Sequence, residues 1–128
     1  MTSPRTTARD AGASSGATPT AKNMAAVVVL YHHPKDPEAF EKYYAETHGP
    51  LVYKHARAIG LRRADFTKFS SGLGGERPQF YRQASLWFDS EDALRKAMAM
   101  PEFGELAGDL GNFATGGVTG MISVKTND

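Results

Sequence analysis

The sequence predicts an α+β domain with an antiparallel four-stranded sheet and the element order βαββαβ, which is the ferredoxin-like order. Three observations lead to this prediction. An apolar run at 25–31 is followed by a strongly capped helix that starts at Asp36. Two strand-like segments then follow one another, at 61–69 and 79–88. A second helical pattern finally leads into a β-branched segment at 118–124.

Composition limits the class of protein. A chain of 128 residues with 41% hydrophobic and 23% charged residues is ordinary for one globular domain. Its net charge of +1 gives no reason to expect a nucleic-acid or membrane partner. The lack of cysteine excludes disulfides, thiolate metal sites and iron–sulfur clusters. No apolar run approaches the ~18 residues that a membrane span needs.

The first 23 residues differ from the rest of the chain. They are rich in Ser, Thr, Ala, Gly and Pro and carry no large apolar residue after Met1, so we expect a disordered tail before a domain at 24–128. No apolar stretch indicates a secretory signal, and we expect a cytoplasmic protein. A few basic residues are weakly similar to a transit peptide. A flexible tail, or a true start at Met24, fits the composition better.

The first strand, Ala25 to Tyr31, is apolar without alternation, as in strands that are covered on both faces. A small single-sheet domain covers one face with its own helices. Covering the other face requires a ligand, a second sheet or a partner subunit.

The first helix begins with good capping residues and then meets a break. Asp36 is a strong N-cap and Pro37 suits the first helical position. At 48–50, His-Gly-Pro is expected to interrupt the helix, with Pro50 opening a second helix that ends at Gly60 as C-cap.

This predicted joint makes His48 the first candidate for chemistry. The partial positive charge of a fresh helix N-terminus disfavours imidazolium, so a neutral His48 would serve as a general base or orient a phenolic or enolic substrate. The structural alternative is that His48 caps the joint and bonds a carbonyl. Tyr44 shares its helix face and is a candidate donor to an oxyanion, although a core aromatic residue explains it as well.

The remaining elements complete the order. The segment 61–69 has no clean apolar face, which is typical of an edge strand or one that faces a polar cavity. In the strand at 79–88 one face is mostly apolar, and the other, amphipathic and aromatic, suits a binding cavity; the latter contains Tyr81, Gln83, Ser85 and Trp87. Asp89 is expected to cap the next helix, which Pro101 ends before a short further helix.

The segment Tyr31–Phe40, the pair Tyr43-Tyr44, Thr47–Leu51, Gly60-Leu61 and Asp109–Phe113 together resemble the EthD family, named from ethyl tert-butyl ether degradation. The resemblance covers roughly residues 24 to 125. It implies a dimeric α+β barrel, in which two sheets pair face to face and a ligand cavity lies between sheet and first helix. It also implies a small-molecule protein of xenobiotic degradation or aromatic tailoring.

With this fold in view, two residues are expected to be catalytic, His48 and Tyr44. Six others are candidates for a substrate cavity: Tyr31, His33, Arg63, Tyr81, Trp87 and Phe113. A metal is not expected, because no carboxylate stands at a ligand spacing and the adjacent His32 and His33 point to opposite faces of a strand. Some relatives in the superfamily use haem, for which His48 or His55 would be the ligand, but nothing in this sequence favours it.

Two hypotheses from different classes remain open. The first is a cofactor-independent enzyme of oxygenase, cyclase or isomerase type, acting on an aromatic or enolisable substrate with His48 as base. The second is a non-catalytic carrier or accessory protein that shelters a small molecule for a partner oxygenase system. Both are expected to be homodimers that bind a small apolar or aromatic ligand, with no nucleic acid and no membrane as partner.

Overall fold

The structure, a computed structural model, describes residues 23–126, so the expectation of a disordered tail falls almost wholly outside the described residues. The elements, in chain order, are β1 (Ala25–Tyr31), α1 (Pro37–Tyr43), a π turn (Tyr44–His48), α2 (Gly49–Ile59), β2 (Arg63–Lys68), β3 (Arg82–Phe88), α3 (Glu91–Met98), α4 (Pro101–Asp109), a 3₁₀ turn (Leu110–Asn112) and β4 (Val118–Val124).

One antiparallel sheet carries the domain, with the strand order β2-β3-β1-β4. This confirms the predicted ferredoxin-like order. The apolar strand β1 is central, with Val27 opposite Leu86 of β3 on one side and Ile122 of β4 on the other. The strand β2, which lacks an apolar face, is an edge strand as predicted.

The alternation of β1 divides the sheet into two faces. Val27, Val29 and Tyr31 point toward the helices. The opposite, outer face of the sheet comprises Ala26, Val28 and Leu30 of β1, Arg63, Asp65 and Thr67 of β2, Gln83, Ser85 and Trp87 of β3, and Thr119, Met121 and Ser123 of β4. On this outer face Val28 and Leu30 are only half-buried and Met121 is exposed, so the described chain leaves apolar side chains there without full cover.

The core consists of two neighbouring clusters on the helix side. One is aliphatic and brings together Val52, Leu86, Phe88 and Leu94. The other is aromatic and surrounds Tyr31, with which Phe40, Tyr44 and Phe113 make ring contacts at centroid distances of 5.3, 5.6 and 5.7 Å. Aromatic pairs at these distances stabilise beyond the burial of their area.

The predicted break at 48–50 is wrong, because the chain remains helical through it. Gly49 has φ −57° and ψ −52°, and its N–H donates to the carbonyl of Tyr44 five residues earlier. Proline at position 50 has no N–H for the helix ladder and its ring crowds the preceding turn. The helix accommodates Pro50 by widening into a single π turn, the form that single-residue insertions in helices take.

Helix ends follow the capping rules with one shift. Asp36 accepts from Ala39 N at 3.1 Å and Gly60 has the left-handed φ of 78°, which confirms both predicted caps. The predicted cap Asp89 is wrong. The N-cap is Ser90, whose Oγ accepts from Ala93 N at 3.0 Å, and Asp89 instead pairs with Arg62.

An ion pair between Glu41 and Arg82 connects α1 to the sheet. Arg82 donates from Nη2 to Oε1 of Glu41 at 2.6 Å and from Nε to Oε2 at 2.9 Å, and the Tyr81 hydroxyl donates to Oε2 at 2.7 Å. The hydrogen bonds from Arg82 are the main cause that lowers the pKa of Glu41 to about 2; burial opposes them and the Tyr81 hydroxyl adds to them. Glu41 is therefore charged in the folded state over the whole neutral range.

We expect Glu41→Gln to lower the free energy of unfolding at pH 7 by about 1–2 kcal/mol, because it leaves the largely buried guanidinium of Arg82 without its counter-ion. The estimate is modest because the Glu41 side chain is 33% exposed, which screens the pair. The folded-state pKa lies below the ordinary 4.5, so this stabilisation is present above pH 4.5 and disappears as the pH falls toward 2.

Urea unfolding from pH 2 to 7 measures this effect. The control is Glu46→Gln, an exposed carboxylate in the π turn with no ion pair among residues 23–126. The difference between the two variants should shrink at acid pH. The prediction would be contradicted if the free energy of unfolding of Glu41→Gln fell as steeply on acidification as that of the wild type.

Candidate functional site

A cavity of about 200 Å³ lies between the helix-facing side of the sheet and the helices α2 and α4. Aliphatic and aromatic side chains form nearly all of its wall. The exceptions with polar groups are His48, at the end of the π turn, and the phenol of Tyr31, at the end of β1. The resemblance implied a ligand cavity between the sheet and the first helix, whereas this cavity is also bordered by α4.

His48 is held by a carboxylate from the far end of the chain. Its Nδ1 lies 2.8 Å from Oδ2 of Asp109, at the end of α4, and the two side chains are only 6% and 10% exposed. The other oxygen of Asp109 accepts from the Tyr43 hydroxyl at 2.6 Å and from Nδ2 of Asn112 at 2.9 Å. Three donors therefore surround one carboxylate.

The surroundings of Asp109 keep it ionised. Burial raises its pKa, but the hydrogen bonds from Tyr43, Asn112 and His48 together outweigh burial and hold the pKa below its ordinary value. An ionised carboxylate only accepts hydrogen bonds, so Nδ1 of His48 carries the proton in this pair. In the neutral ring, Nε2 then has the free lone pair, and no side chain in the described range 23–126 bonds to it.

The electrostatic partner of His48 differs from the helix N-terminus that the sequence predicted. Because the π turn joins α1 and α2 without a break, there is no fresh helix N-terminus beside His48. The partner that fixes its ring is instead a carboxylate, which stabilises an imidazolium once His48 has taken a proton. The chemistry that follows is that of a base oriented by an acid.

Aromatic rings surround the imidazole on its other sides. The ring of Phe113 lies 4.7 Å from that of His48, and Tyr44 is stacked on it at 5.9 Å. Phe113 thus packs against His48, although it does not line the cavity itself. Such packing restricts the orientation of the imidazole ring.

Two of the three candidate tyrosines, Tyr31 and Tyr44, lie close together but border different cavities. Tyr31 lines the cavity, and burial together with the neighbouring Tyr44 phenol raises its pKa far above the ordinary value, so it is a permanent hydrogen-bond donor. Tyr44 lines a second cavity, which lies between the π turn, the start of α2 and the strands β2 and β3. Burial raises its pKa to about 12, and its hydroxyl is enclosed beside the Tyr31 phenol without a well-formed hydrogen bond among the described residues. Of these two residues, only Tyr31 lines the cavity beside His48.

The other four predicted cavity residues lie elsewhere. Arg63 pairs with Asp65 on the outer face of the sheet, and Trp87 donates to the same carboxylate at 3.2 Å. His33 bonds the carbonyl of Pro78 at 2.7 Å, and Tyr81 bonds Glu41. Trp87 does not line the cavity beside His48, because the helices cover the face of β3 that carries Ala84, Leu86 and Phe88.

Sequence reasoning missed Asp109, Asn112 and the role of Tyr43. Asp109 belongs to a segment that supported the family resemblance, but no local signal pairs it with His48, which is 61 residues away. An acidic residue in the last turn of a helix is unusual, since its charge opposes the helix dipole. The position of Asp109 was therefore the one sequence feature that indicated a special role for it.

Metal ligation finds no support in the described part of the chain. No group of three or more His, Asp or Glu side chains with metal-binding geometry occurs within residues 23–126. His55, the alternative haem ligand, bonds Glu105 at 3.0 Å, and a cavity of about 200 Å³ has room for one ring rather than for a porphyrin. Within the same residues, no helix has the length and apolar character required to cross a bilayer.

Comparison with known proteins agrees with this fold. The model of the EthD domain matches residues 32–117. A Rhodococcus erythropolis protein, described as an uncharacterized 11.0 kDa protein in the thcB-thcC intergenic region, is 40% identical over 100 residues, covering 78% of this chain and 93% of that protein.

Two solved structures extend the comparison. An ethyl tert-butyl ether degradation (EthD) family protein from Bacillus halodurans C-125 is 32% identical, with a TM-score of 0.70 over 78% of this chain and 96% of that one. A dimeric protein with ferredoxin-like fold from Bacteroides fragilis is 11% identical, with a TM-score of 0.59 over 80% and 97%, and shares the fold alone. Because the EthD domain model matches most of the chain and an EthD family protein is 32% identical to it, the chain belongs to the EthD family.

Proposed function

We propose that this protein is a cofactor-independent enzyme that removes a proton from a small aromatic or enolisable substrate, with His48 as the general base. One observation carries the proposal. In a cavity with an otherwise almost wholly apolar wall, the one nitrogen base is a histidine whose other ring nitrogen is bonded to a buried carboxylate. That pairing orients a base and prepares it to carry positive charge.

The proton transfer is simple to describe. Nε2 of His48 takes a proton from a carbon next to a carbonyl, or from a phenol, and the imidazolium that forms is stabilised by Asp109. The electron pair left on the substrate becomes an enolate or phenolate oxygen. The Tyr31 phenol, always protonated, is the group on the cavity wall that would donate a hydrogen bond to that oxygen.

The cavity also limits the substrate. Apolar cavities of about 150 Å³ in other proteins hold benzene, so about 200 Å³ suits a compound with one ring and small substituents. The apolar wall disfavours charged compounds, because few polar groups are present to replace their hydration. The substrate class is therefore a neutral cyclic ketone or phenol-like molecule.

The same apolar wall favours the second candidate, a carrier that shelters such a compound for another enzyme system. A carrier needs burial and shape, and it has no use for an oriented base. The two functions differ in whether His48 changes the chemistry of a bound ligand or only its affinity.

We also propose that the protein acts as a homodimer that pairs through the outer face of the sheet. Val28, Leu30 and Met121 form an apolar stripe across the two strands β1 and β4 on that face. The cavity lies on the opposite side and would stay open in such a dimer. Apolar side chains that a domain leaves uncovered mark surfaces for association.

Exchange of deuterium into a simple ketone tests the base directly, without knowledge of the natural substrate. In D₂O the wild type should accelerate deuterium incorporation next to the carbonyl of cyclohexanone, followed by NMR. His48→Gln should slow this exchange by about a hundredfold or more, since general bases contribute about 10²–10⁴-fold. Asp109→Asn should also slow it, because an amide N–H facing Nδ1 reverses the tautomer and removes the lone pair from Nε2.

His55→Gln is the matched control. His55 lies on the same helix as His48 and bonds a carboxylate of the same partner helix, but it does not line the cavity. Unchanged exchange in His48→Gln would refute the base. Binding of cyclohexanone with no exchange in the wild type would establish the carrier instead.

For the dimer, we expect Val28→Lys to shift the protein from dimer to monomer in sedimentation velocity, since a lysine at the centre of the stripe cannot be buried against a second copy. Leu73→Lys is the control, because Leu73 is fully exposed in the loop between β2 and β3. A monomeric wild type, or a Val28→Lys variant that remains dimeric, would contradict the proposed interface.

A further inference from the structure

A glycine stands in the middle of the edge strand β4, where glycine is costly. Gly120 lies between Val118 and Ile122 on the helix-facing side, opposite Val29 of β1. Glycine inside a strand loses entropy on folding and contributes no side chain to packing. Its presence there calls for a physical reason.

The two usual reasons do not apply to Gly120. Its backbone is not left-handed, unlike that of Gly60, Gly75 and Gly117. Nor is it crowded, because a Cβ at this position would meet nothing closer than the Val28 carbonyl oxygen at 3.9 Å, an ordinary contact. Neither the backbone conformation nor the neighbouring atoms require a glycine.

The space beside Gly120 belongs to the cavity. Gly120 lines it from the sheet and Ala107 lines it from α4, and both residues are exposed to solvent. Deeper in the same cavity, Val52 and Leu86 are buried. The cavity therefore opens between β4 and α4, and its mouth is bordered by two of the smallest residues.

We propose that Gly120 sets the size of the compounds that the cavity accepts, by leaving open the part of the cavity nearest its mouth. The ligand class is a neutral, planar ring compound such as a phenol. This inference rests on the proposed function, in that it places the substrate in this cavity. It adds a residue that determines specificity without taking part in the proton transfer.

The proposal predicts opposite effects on stability and on binding. Valine suits a strand better than glycine, and at position 120 it meets no backbone obstacle, so Gly120→Val should raise the thermal midpoint of unfolding. The same side chain would project into the cavity and displace ligand. A glycine needed for the backbone would give the reverse result, with stability lost.

The test measures binding of phenol and of the larger 4-ethylphenol by NMR titration, alongside thermal unfolding. Gly120→Val should weaken the binding of phenol by about tenfold or more, because the valine side chain occupies space that the ligand needs, and the binding of 4-ethylphenol should weaken further. Gly120→Ala should lie between the wild type and the valine variant. Val124→Ala is the control, since Val124 lies on the same face of β4 as Gly120 but does not line the cavity.

Each outcome decides the question. Unchanged affinities in Gly120→Val, or a wild type that binds neither compound, would overturn the proposal. So would loss of stability in both Gly120 variants, which would show a backbone role. Binding of phenol requires no turnover, so failure of the general base in the exchange experiment leaves this test intact.

Discussion

The hydrogen bond between His48 and Asp109 is the contact on which the site depends. It joins the end of the π turn to the end of α4, two points that are 61 residues apart in sequence. A second pair, His55 and Glu105, joins the same two helices further along. Because polar pairs fix the helices at both places, the apolar side chains between them need not fill the space completely. A cavity can then persist beside the sheet at the cost of some dispersion contacts.

The orientation of His48 depends in turn on the π turn. Tyr44 and His48 are both buried, and Val52 and Ile59 continue the buried side of α2. Pro50 has no backbone N–H to donate within the helix. The N–H of Gly49 donates to the carbonyl of Tyr44, five residues earlier, which is the hydrogen bond of a π turn. A Cβ at position 49 would lie 3.1 Å from that oxygen, so glycine eases the wide turn. The Gly-Pro pair thus rotates the end of α1 relative to α2 without breaking the helix.

How much the sequence predicts depends on the range of the interaction. Local rules found β1, the caps Asp36 and Gly60, and the edge position of β2. They identified His48 as a residue of interest, but they predicted a helix break at Gly49-Pro50 because proline disfavours a helical conformation in the preceding residue. The helix continues there because that preceding residue is Gly49, which adopts the helical conformation without a side chain to clash. Asp109 and the face of β3 that the helices cover are set by tertiary packing. Alternation along the strand separates its mostly apolar face from its amphipathic one, but it does not show which of the two borders the cavity.

The alternation of β1 links the two surfaces that the proposals concern. Val27 and Val29 contribute to the cavity wall, whereas Val28 and Leu30 lie on the outer face one residue away. A shift of register by one residue would exchange the residues of the two faces. Both surfaces therefore require that the register of β1 with its two neighbouring strands is fixed. The proposed proton chemistry and the proposed association therefore belong to opposite faces of one sheet. Because alternate residues of β1 serve the two faces, a change on one face can leave the other in place.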